Sequence, residues 1–191
     1  MSTQPLPARD RRPPERKSDR TRAAILDAAS RAFSAHGYSA TGVREITAAA
    51  GVNPALVSRY FGSKEKLFEA VLDAALDVEL LTRHNRATFG RDLVAMFSGD
   101  GSGVHPLPLL VLATGDPAAR EIADRILRDR VIGPLTRWFG GAEAESRAAR
   151  LLLVSAGFYI YRQLYPLDCL SGALDPAMRS WLEGEFQSLV E

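Results

Sequence analysis

The fold is decided between residues 41 and 67, where the chain reads TGVREITAAAGVNPALVSRYFGSKEKL. Three apolar residues recur there at helical spacing, namely Val43, Ile46 and Ala50. This spacing predicts a helix, and Gly51 then allows a turn with positive φ. Asn53 followed by Pro54 is typical of a new helix start. Helix, tight glycine turn and helix form the architecture that places a recognition helix in the major groove of DNA.

The second of these helices has one apolar side and one polar side. Its apolar side carries Val57, Tyr60 and Phe61. Its other side carries small, polar and basic residues, namely Ala55, Ser58 and Arg59. Such a face suits base edges and phosphates better than a protein core. Gly62 is predicted to end this helix, and Ser63 to cap the next one.

Charge is distributed unevenly along the 191 residues. Residues 1–66 carry 12 Lys/Arg and 6 Asp/Glu, a balance of +6, whereas residues 67–191 carry 12 Arg and 17 Asp/Glu, a balance of −5. A basic head on an acidic body is typical of a nucleic-acid binder with a separate second module. Residues 1–17, rich in Pro and Arg, predict a disordered basic arm, which either contacts DNA or serves only as a solubilising tail.

The rest of the chain predicts helices and no strands. No segment shows strand alternation or a hairpin turn, so we expect an all-α fold with about nine helices. One helix is predicted over residues 18–35, before Gly37, and one long helix over residues 63–88. The remaining predicted helices cover residues 89–97, 109–114, 116–139, 142–165 and 176–190, with a loop at 99–103.

Several classes of protein are disfavoured by the sequence. The N-terminus has no apolar signal segment, and the apolar run 151–161 is far shorter than the roughly 20 residues that span a bilayer, so a cytoplasmic protein without a membrane partner is expected. Cys169 is the single cysteine, and it shows no metal-ligand spacing with His36, His84 or His105. With no nucleophile-elbow, P-loop or dinucleotide motif, we predict no enzyme, no metal site and no cofactor.

Residues 19–72 resemble the DNA-binding domain of the tetracycline-repressor (TetR) family of bacterial regulators. The resemblance rests on IL, AA, AF and GY in the first helix, VREI and AGV in the second, and LVSRYFGSKEKLFEAV across the third and its exit. It implies a head at residues 18–66 and a ligand-binding and dimerisation domain at residues 67–191. It also implies a homodimeric repressor of a palindromic operator, released by a small hydrophobic or aromatic effector. An all-α interaction module without DNA binding is the alternative.

The resemblance assigns DNA contacts to nine positions of this chain. They are Thr41, Arg44, Pro54, Ala55, Leu56, Ser58, Arg59, Tyr60 and Lys64. Arg44 is expected at a phosphate or a guanine edge, and Lys64 at a phosphate. For Thr41 helix capping is a sufficient alternative, for Tyr60 a place in the core, and for Lys64 a solvated position. Ser58 is shorter than the Tyr of many family members, so a phosphate contact there is less well supported.

The resemblance also places the dimer interface and the effector site. The last two predicted helices, residues 142–165 and 176–190, are expected to form the interface with a second copy. The effector is expected among the middle helices, next to Leu80, His84, Phe97, His105, Leu112, Trp138 and Tyr159. For each of these, a plain core position is the alternative.

Overall fold

The computed structural model describes residues 17–99 and 105–191, and regular structure within these ranges is entirely helical. Nine helices of at least seven residues occur there, as predicted. They are α1 Lys17–Ala40, α2 Val43–Ala49, α3 Ala55–Phe61, α4 Lys64–Ala75, α5 Phe89–Phe97, α6 Pro106–Ala113, α7 (Pro117–Leu127, a π-helical turn Arg128–Ile132, then Gly133–Phe139), α8 (Ala144–Tyr159, then a π-helical turn Ile160–Leu164) and α9 Pro176–Ser188. Shorter helical turns are Glu79–Thr82, Arg86–Thr88 and Asp168–Leu170.

Three sequence predictions fall wholly or partly outside the described residues. The first is the basic arm at residues 1–17, of which only Lys17 is described, at the start of α1. The second is the loop at 99–103, of which only Gly99 is described. The third is the side chain of Leu80, so its predicted place at the effector site remains a prediction.

The head is a three-helix unit closed by α4. Helix α1 loses helical geometry at Gly37, whose φ is 79°, which confirms the predicted helix-ending glycine. Buried side chains from all four helices share one core, namely Ile25, Phe33, Ile46, Val57, Leu67 and Phe68. The rings of Phe33 and Phe68 pack edge to face at 5.1 Å, so α1 and α4 are joined by an aromatic contact.

The predicted long helix over residues 63–88 is wrong, because α4 ends at Ala75. Leu76 leaves helical geometry, with φ −102° and ψ 42°, and the Asp77 carboxylate accepts a hydrogen bond from the Glu79 amide at 2.8 Å. Leu76 and Val78 are both buried. Residues two positions apart point to nearly opposite sides of a helix, and the break between Leu76 and Val78 allows both to be buried here.

Helix α6 begins three residues earlier than predicted. Pro106 and Pro108 lie inside its first turn, where the missing N–H groups would have no intrahelical partner. His105 caps it, since its Nδ1 accepts a hydrogen bond from the Leu107 amide at 3.2 Å. Helix α6 packs on α1, and α7 packs on α4, so the body contacts the head through both.

Helices α7 and α8 follow the predicted ranges, and each contains a π-helical turn. In α7 the turn Arg128–Ile132 comes just before Pro134, which has no N–H to give to the helix. Elsewhere in the body, α5 meets α9 at Gly90, where an added Cβ would overlap the carbonyl oxygen of Glu183 and lie 2.9 Å from the backbone nitrogen of Gln187. A glycine is therefore required for this close approach.

Candidate DNA interface and effector cavity

The turn between α2 and α3 is held by short-range contacts. Gly51 adopts a φ of 66°, and the Val52 amide donates to the Thr47 carbonyl at 2.9 Å. The side-chain oxygen of Asn53 accepts a hydrogen bond from the Ala55 amide at 2.9 Å, while the N-cap position of α3 is Pro54, one residue later than predicted. Ile46 and Val57 are buried in the head core, so α3 is fixed on α2 through its apolar side.

The opposite side of this unit is open to solvent. Arg44 of α2, Pro54 at the turn, and Ala55, Ser58 and Arg59 of α3 are all exposed. These five were assigned to DNA by the resemblance, and the fold brings them to the surface. Small side chains at positions 55 and 58 leave the α3 backbone accessible to a close partner, while Arg44 and Arg59 supply positive charge.

Thr41 and Leu56 are placed differently from the prediction. Thr41 is 1% exposed, and its hydroxyl lies 2.7 Å from the Gly37 carbonyl and 3.2 Å from the Ala32 carbonyl. The N-cap of α2 is Gly42, so Thr41 neither caps this helix nor presents its side chain to DNA. Its hydroxyl instead lies within hydrogen-bond distance of two carbonyl oxygens of α1, next to the kink at Gly37. Leu56 packs partly buried against the head core rather than facing outward.

Tyr60 and Lys64 lie at the edge of the exposed side. Tyr60 is half-buried and its ring packs against the head core, which is the alternative to a DNA contact that the sequence also allows. Lys64 is the first residue of α4, and its Nζ lies 4.2 Å from the centre of the Tyr38 ring. The cation is thereby held next to the N-terminus of α4, which itself favours anions.

A polar group of residues beside Lys64 was not predicted from the sequence. The Tyr38 hydroxyl donates to the Glu65 carboxylate at 2.9 Å, and the Ser39 hydroxyl donates to the Asp116 carboxylate at 2.7 Å. Hydrogen bonds from Ser63, from its own backbone and from Tyr38 lower the pKa of Glu65, so this carboxylate is ionised at neutral pH. Asp116 caps α7, so the second bond ties the head to the body.

A cavity of about 260 Å³ lies in the body, below the end of α4. Its walls come from the segment after α4 and from α5, α6, α7 and α8. Most of the lining is apolar, represented by Leu76, Met96, Phe97, Leu110, Val131 and Leu152. The polar lining groups are Asp77, His105 and Ser155.

The seven residues predicted at the effector site separate into three groups. Phe97 and His105 line the cavity, and Tyr159 stacks on His105 with ring centres 3.6 Å apart. Three others lie elsewhere. His84 is near Asp92, at 3.8 Å between Nδ1 and Oδ2, Leu112 lies under Gly37, and Trp138 packs on Phe89. The side chain of Leu80 is not described.

Two polar groups of the cavity are available for a ligand. Burial lowers the pKa of His105 to about 4, so its imidazole is neutral at neutral pH. Since Nδ1 accepts from the Leu107 amide, the proton is on Nε2. The Ser155 hydroxyl oxygen is buried and has no hydrogen-bond partner within the described part of the chain. Sequence spacing alone gave no signal for Ser155 as a lining residue, because its helix is apolar around most of its circumference.

Comparisons with known sequences match two separate stretches of the chain. Residues 25–71 match the family described as bacterial regulatory proteins, tetR family, and residues 87–190 match the tetracyclin repressor-like C-terminal domain. A helix-turn-helix transcriptional repressor of Mycobacterium tuberculosis is 46% identical over 67 residues, which is 35% of this chain and 36% of that protein. The match with the curated relatives thus covers about a third of their length.

Solved structures extend the likeness to almost the whole chain. A TetR-family regulator of Streptomyces coelicolor is 26% identical, with a TM-score of 0.55 over 94% of this chain and 98% of that one. The multidrug binding protein EbrR, crystallised with malachite green, is 21% identical, with a TM-score of 0.60 over 89% and 98%. The second of these likenesses concerns the fold alone.

Two further findings bear on the predicted classes. Within the described ranges no helix is both long and apolar enough to cross a membrane. The same residues contain no group of three or more His, Cys, Asp or Glu arranged to hold a metal ion. The two family matches together span residues 25–71 and 87–190, more than half of the chain, and they describe regulatory proteins rather than enzymes. This chain therefore belongs to the TetR family of bacterial regulatory proteins.

Proposed function

We propose that this protein is a transcriptional repressor that binds a palindromic operator as a homodimer and is released from it by a small effector. The proposal depends mainly on one observation: helix α3 is packed firmly against α2, and the side of this pair that faces solvent is basic. Arg44 and Arg59 lie on that side, and Lys64 lies at its edge. A recognition helix presented in this way is suited to the major groove, which is about 12 Å wide and admits an α-helix.

The DNA contacts that we propose are fewer than those implied by the family resemblance. Arg44, Ala55 and Arg59 face the groove, together with Pro54 and Ser58. Lys64 meets a phosphate at the start of α4, and the Tyr60 hydroxyl meets another from the rim of the core. The side chains of Thr41 and Leu56 are assigned to the support of the head, because both pack inward.

The proposed dimer interface lies on α8, α9 and the segment between them. Six of the eight most exposed large hydrophobic residues of the described chain fall in this region, namely Leu153, Tyr161, Leu164, Tyr165, Leu167 and Trp181. Large apolar patches on a soluble protein mark interaction surfaces. At Gly157 of α8 an added Cβ would meet nothing within 4 Å in the same chain, so this point is open to a partner helix.

The effector site that we propose is the 260 Å³ cavity, since it touches the end of the helix that carries Lys64. Ala75 and Leu76 line the cavity at the C-terminal end of α4, and Lys64 begins the same helix. A ligand that changes the position of this end alters the head at the other end. EbrR, which has the same fold, was crystallised with malachite green, and this supports a ligand-binding body by analogy.

The proposal is tested by selecting bound fragments from random duplex DNA with the full chain. We expect an inverted repeat whose half-sites are about one helical turn apart, and binding that weakens steeply with salt because phosphate contacts release counterions. Arg59→Ala should weaken binding, whereas the matched variant Arg83→Ala, at an exposed arginine of the body, should not. Absence of binding at low salt would favour the alternative, an all-α module without DNA binding. A monomer mass at micromolar concentration would contradict the dimer.

A further inference from the structure

We infer that the effector is a small uncharged molecule, about the size of a single substituted ring, that presents hydrogen-bond acceptors to Ser155 and His105. This inference rests on the proposed function of the cavity as the effector site. It concerns the chemical class of the ligand, and four features of the cavity carry it: its volume, its charge, its unpartnered hydroxyl and its fixed imidazole.

The volume of the cavity limits the ligand to a small molecule. At about 260 Å³ it lies just below the range of roughly 300–1,000 Å³ that is typical of sites for drug-sized ligands. A cavity of about 150 Å³ holds a benzene molecule. The present cavity therefore encloses one ring with a short substituent, while a compound of three or more rings would extend out of it into solvent.

The charges around the cavity disfavour ionic ligands. Among the described residues that line it there is no Lys or Arg, and His105 is neutral at neutral pH because of its burial. An anion would thus lose its hydration without gaining an ion pair, and it would lie near the Asp77 carboxylate. A cation would find only Asp77, which is exposed to water and already accepts a hydrogen bond from the Glu79 amide.

Ser155 supplies the first hydrogen-bonding group. Its hydroxyl oxygen is buried and has no partner in the described ranges, although a serine within a helix can bond to a carbonyl of the preceding turn. The oxygen has almost no accessible surface in this rotamer, so the side chain must turn toward the cavity to meet a ligand. Leaving a buried hydroxyl unpaired is unfavourable, and a ligand acceptor atom reached in this way would pair it.

His105 supplies the second group, and its orientation is fixed in advance. The imidazole ring of His105 stacks on the ring of Tyr159, with ring centres 3.6 Å apart and an angle of 15° between the ring planes. Its Nδ1 is occupied by the Leu107 amide, so Nε2 is an N–H donor. A donor held in this way can pair with an acceptor on the ligand but not with another donor, which sets the polarity of the ligand group.

The inference is tested with four probes that share one ring size and differ in the polar group. Acetophenone is neutral and carries an acceptor, ethylbenzene is neutral without one, benzoate is an anion and benzylamine a cation. Binding to the full chain is measured by saturation-transfer NMR and titration calorimetry at neutral pH. We expect acetophenone to bind most tightly, by about 3- to 10-fold over ethylbenzene, which is the usual contribution of one hydrogen bond.

Two variants test whether Ser155 donates the hydrogen bond to acetophenone. Ser155→Ala should lower the affinity for acetophenone by about 3- to 10-fold and leave that for ethylbenzene unchanged. Ser34→Ala is the matched control, because its hydroxyl is also buried without a partner but lies on α1 in the head. Neither variant removes a hydrogen bond made within the described residues, so both should remain folded. Benzoate, benzylamine or ethylbenzene binding as tightly as acetophenone would overturn the inference, as would no binding by any of the four or equal effects of the two variants.

A second measurement separates this inference from the proposed function. Release of the selected operator DNA is followed as acetophenone is added, with malachite green as a bulky cationic comparison. If acetophenone binds through Ser155 without releasing DNA, the ligand class stands and the proposed release mechanism fails. If malachite green releases DNA and acetophenone does not bind, the proposed release stands and the inferred ligand class fails.

Discussion

The DNA-facing side of the head and the cavity of the body are assembled from the chain in different ways. The first comes from residues 41–67, one continuous stretch whose turn and caps are hydrogen-bonded within a few residues. The second comes from residues between 75 and 156, which lie on the segment after α4 and on four further helices. A surface formed by local contacts is expected to tolerate changes elsewhere in the chain, whereas a cavity depends on how distant helices pack.

The largest effect should come from separating two helices of the body. Gly90→Ala places a Cβ against the Glu183 carbonyl oxygen and 2.9 Å from the Gln187 nitrogen, so α5 and α9 must move apart. We expect the free energy of unfolding to fall by about 4 kcal/mol or more, measured by urea titration. The matched control is Gly184→Ala in α9, where a Cβ meets nothing within 4 Å. It should raise stability by about 0.5 kcal/mol, and a similar loss in both variants would contradict this account.

A change in the head core tests whether head and body respond separately. Ile46 is fully buried beneath α3, so Ile46→Ala should lower the free energy of unfolding by about 3 kcal/mol and weaken operator binding. Binding of a neutral ring compound in the cavity, measured by calorimetry on the folded variant, should stay the same. Parallel loss of operator binding and of ring-compound binding would show that the head and the cavity behave as one unit.

Arg44 and Lys64, both on the DNA-facing side, are expected to contribute to operator binding in different ways. Arg44→Ala should cost about 2 kcal/mol of operator affinity and relax the preference at one base pair, if its guanidinium pairs with a guanine edge. Lys64→Ala should weaken all sequences about equally, because it meets phosphate. Fluorescence anisotropy with operator variants distinguishes the two. An unchanged sequence preference in Arg44→Ala would rule out direct readout by this residue.

The smallest expected effect is a pH dependence of the body. The pKa of His105 is lowered to about 4 in the folded chain, against an ordinary value near 6.5. Between these values the unfolded chain binds the proton and the folded chain does not, so stability falls as pH drops from about 6.5 to 4 and is fully present above 6.5. This shift corresponds to roughly 3 kcal/mol at most, and solvent screening of the partly exposed ring reduces the expected contribution to about 1 kcal/mol. His105→Asn keeps a capping side chain for α6 and should remove it, as followed by thermal unfolding at several pH values.

The head was predicted well because its signals are local. Gly37, Gly51, Gly62 and Ser63 act as turns or caps where the sequence placed them. The errors in this region also have a local cause. Thr41 is predicted at the surface but lies at the kink of α1, where its hydroxyl bonds to the carbonyl oxygen of Gly37.

The body was predicted in outline only. The order of its helices follows from proline, glycine and apolar spacing, but the long helix expected over residues 63–88 is interrupted. Of the predicted effector residues, Phe97 and His105 line the cavity, whereas Ser155, Leu107 and Leu110 also line it and were not predicted. Apolar residues at helical spacing indicate that a side is buried, without indicating whether another side chain or a void lies opposite.

The sequence by itself determines three properties of this protein: the helical type of its elements, the turn geometry of residues 41–67, and the contrast between a basic head and an acidic body. Each of these depends on residues that lie close together in the chain. The break after Ala75 and the position of Ser155 beside a cavity depend on the tertiary structure. Each is set by which distant helices meet, and the free energy of those contacts depends on shape and volume that a one-dimensional pattern does not contain.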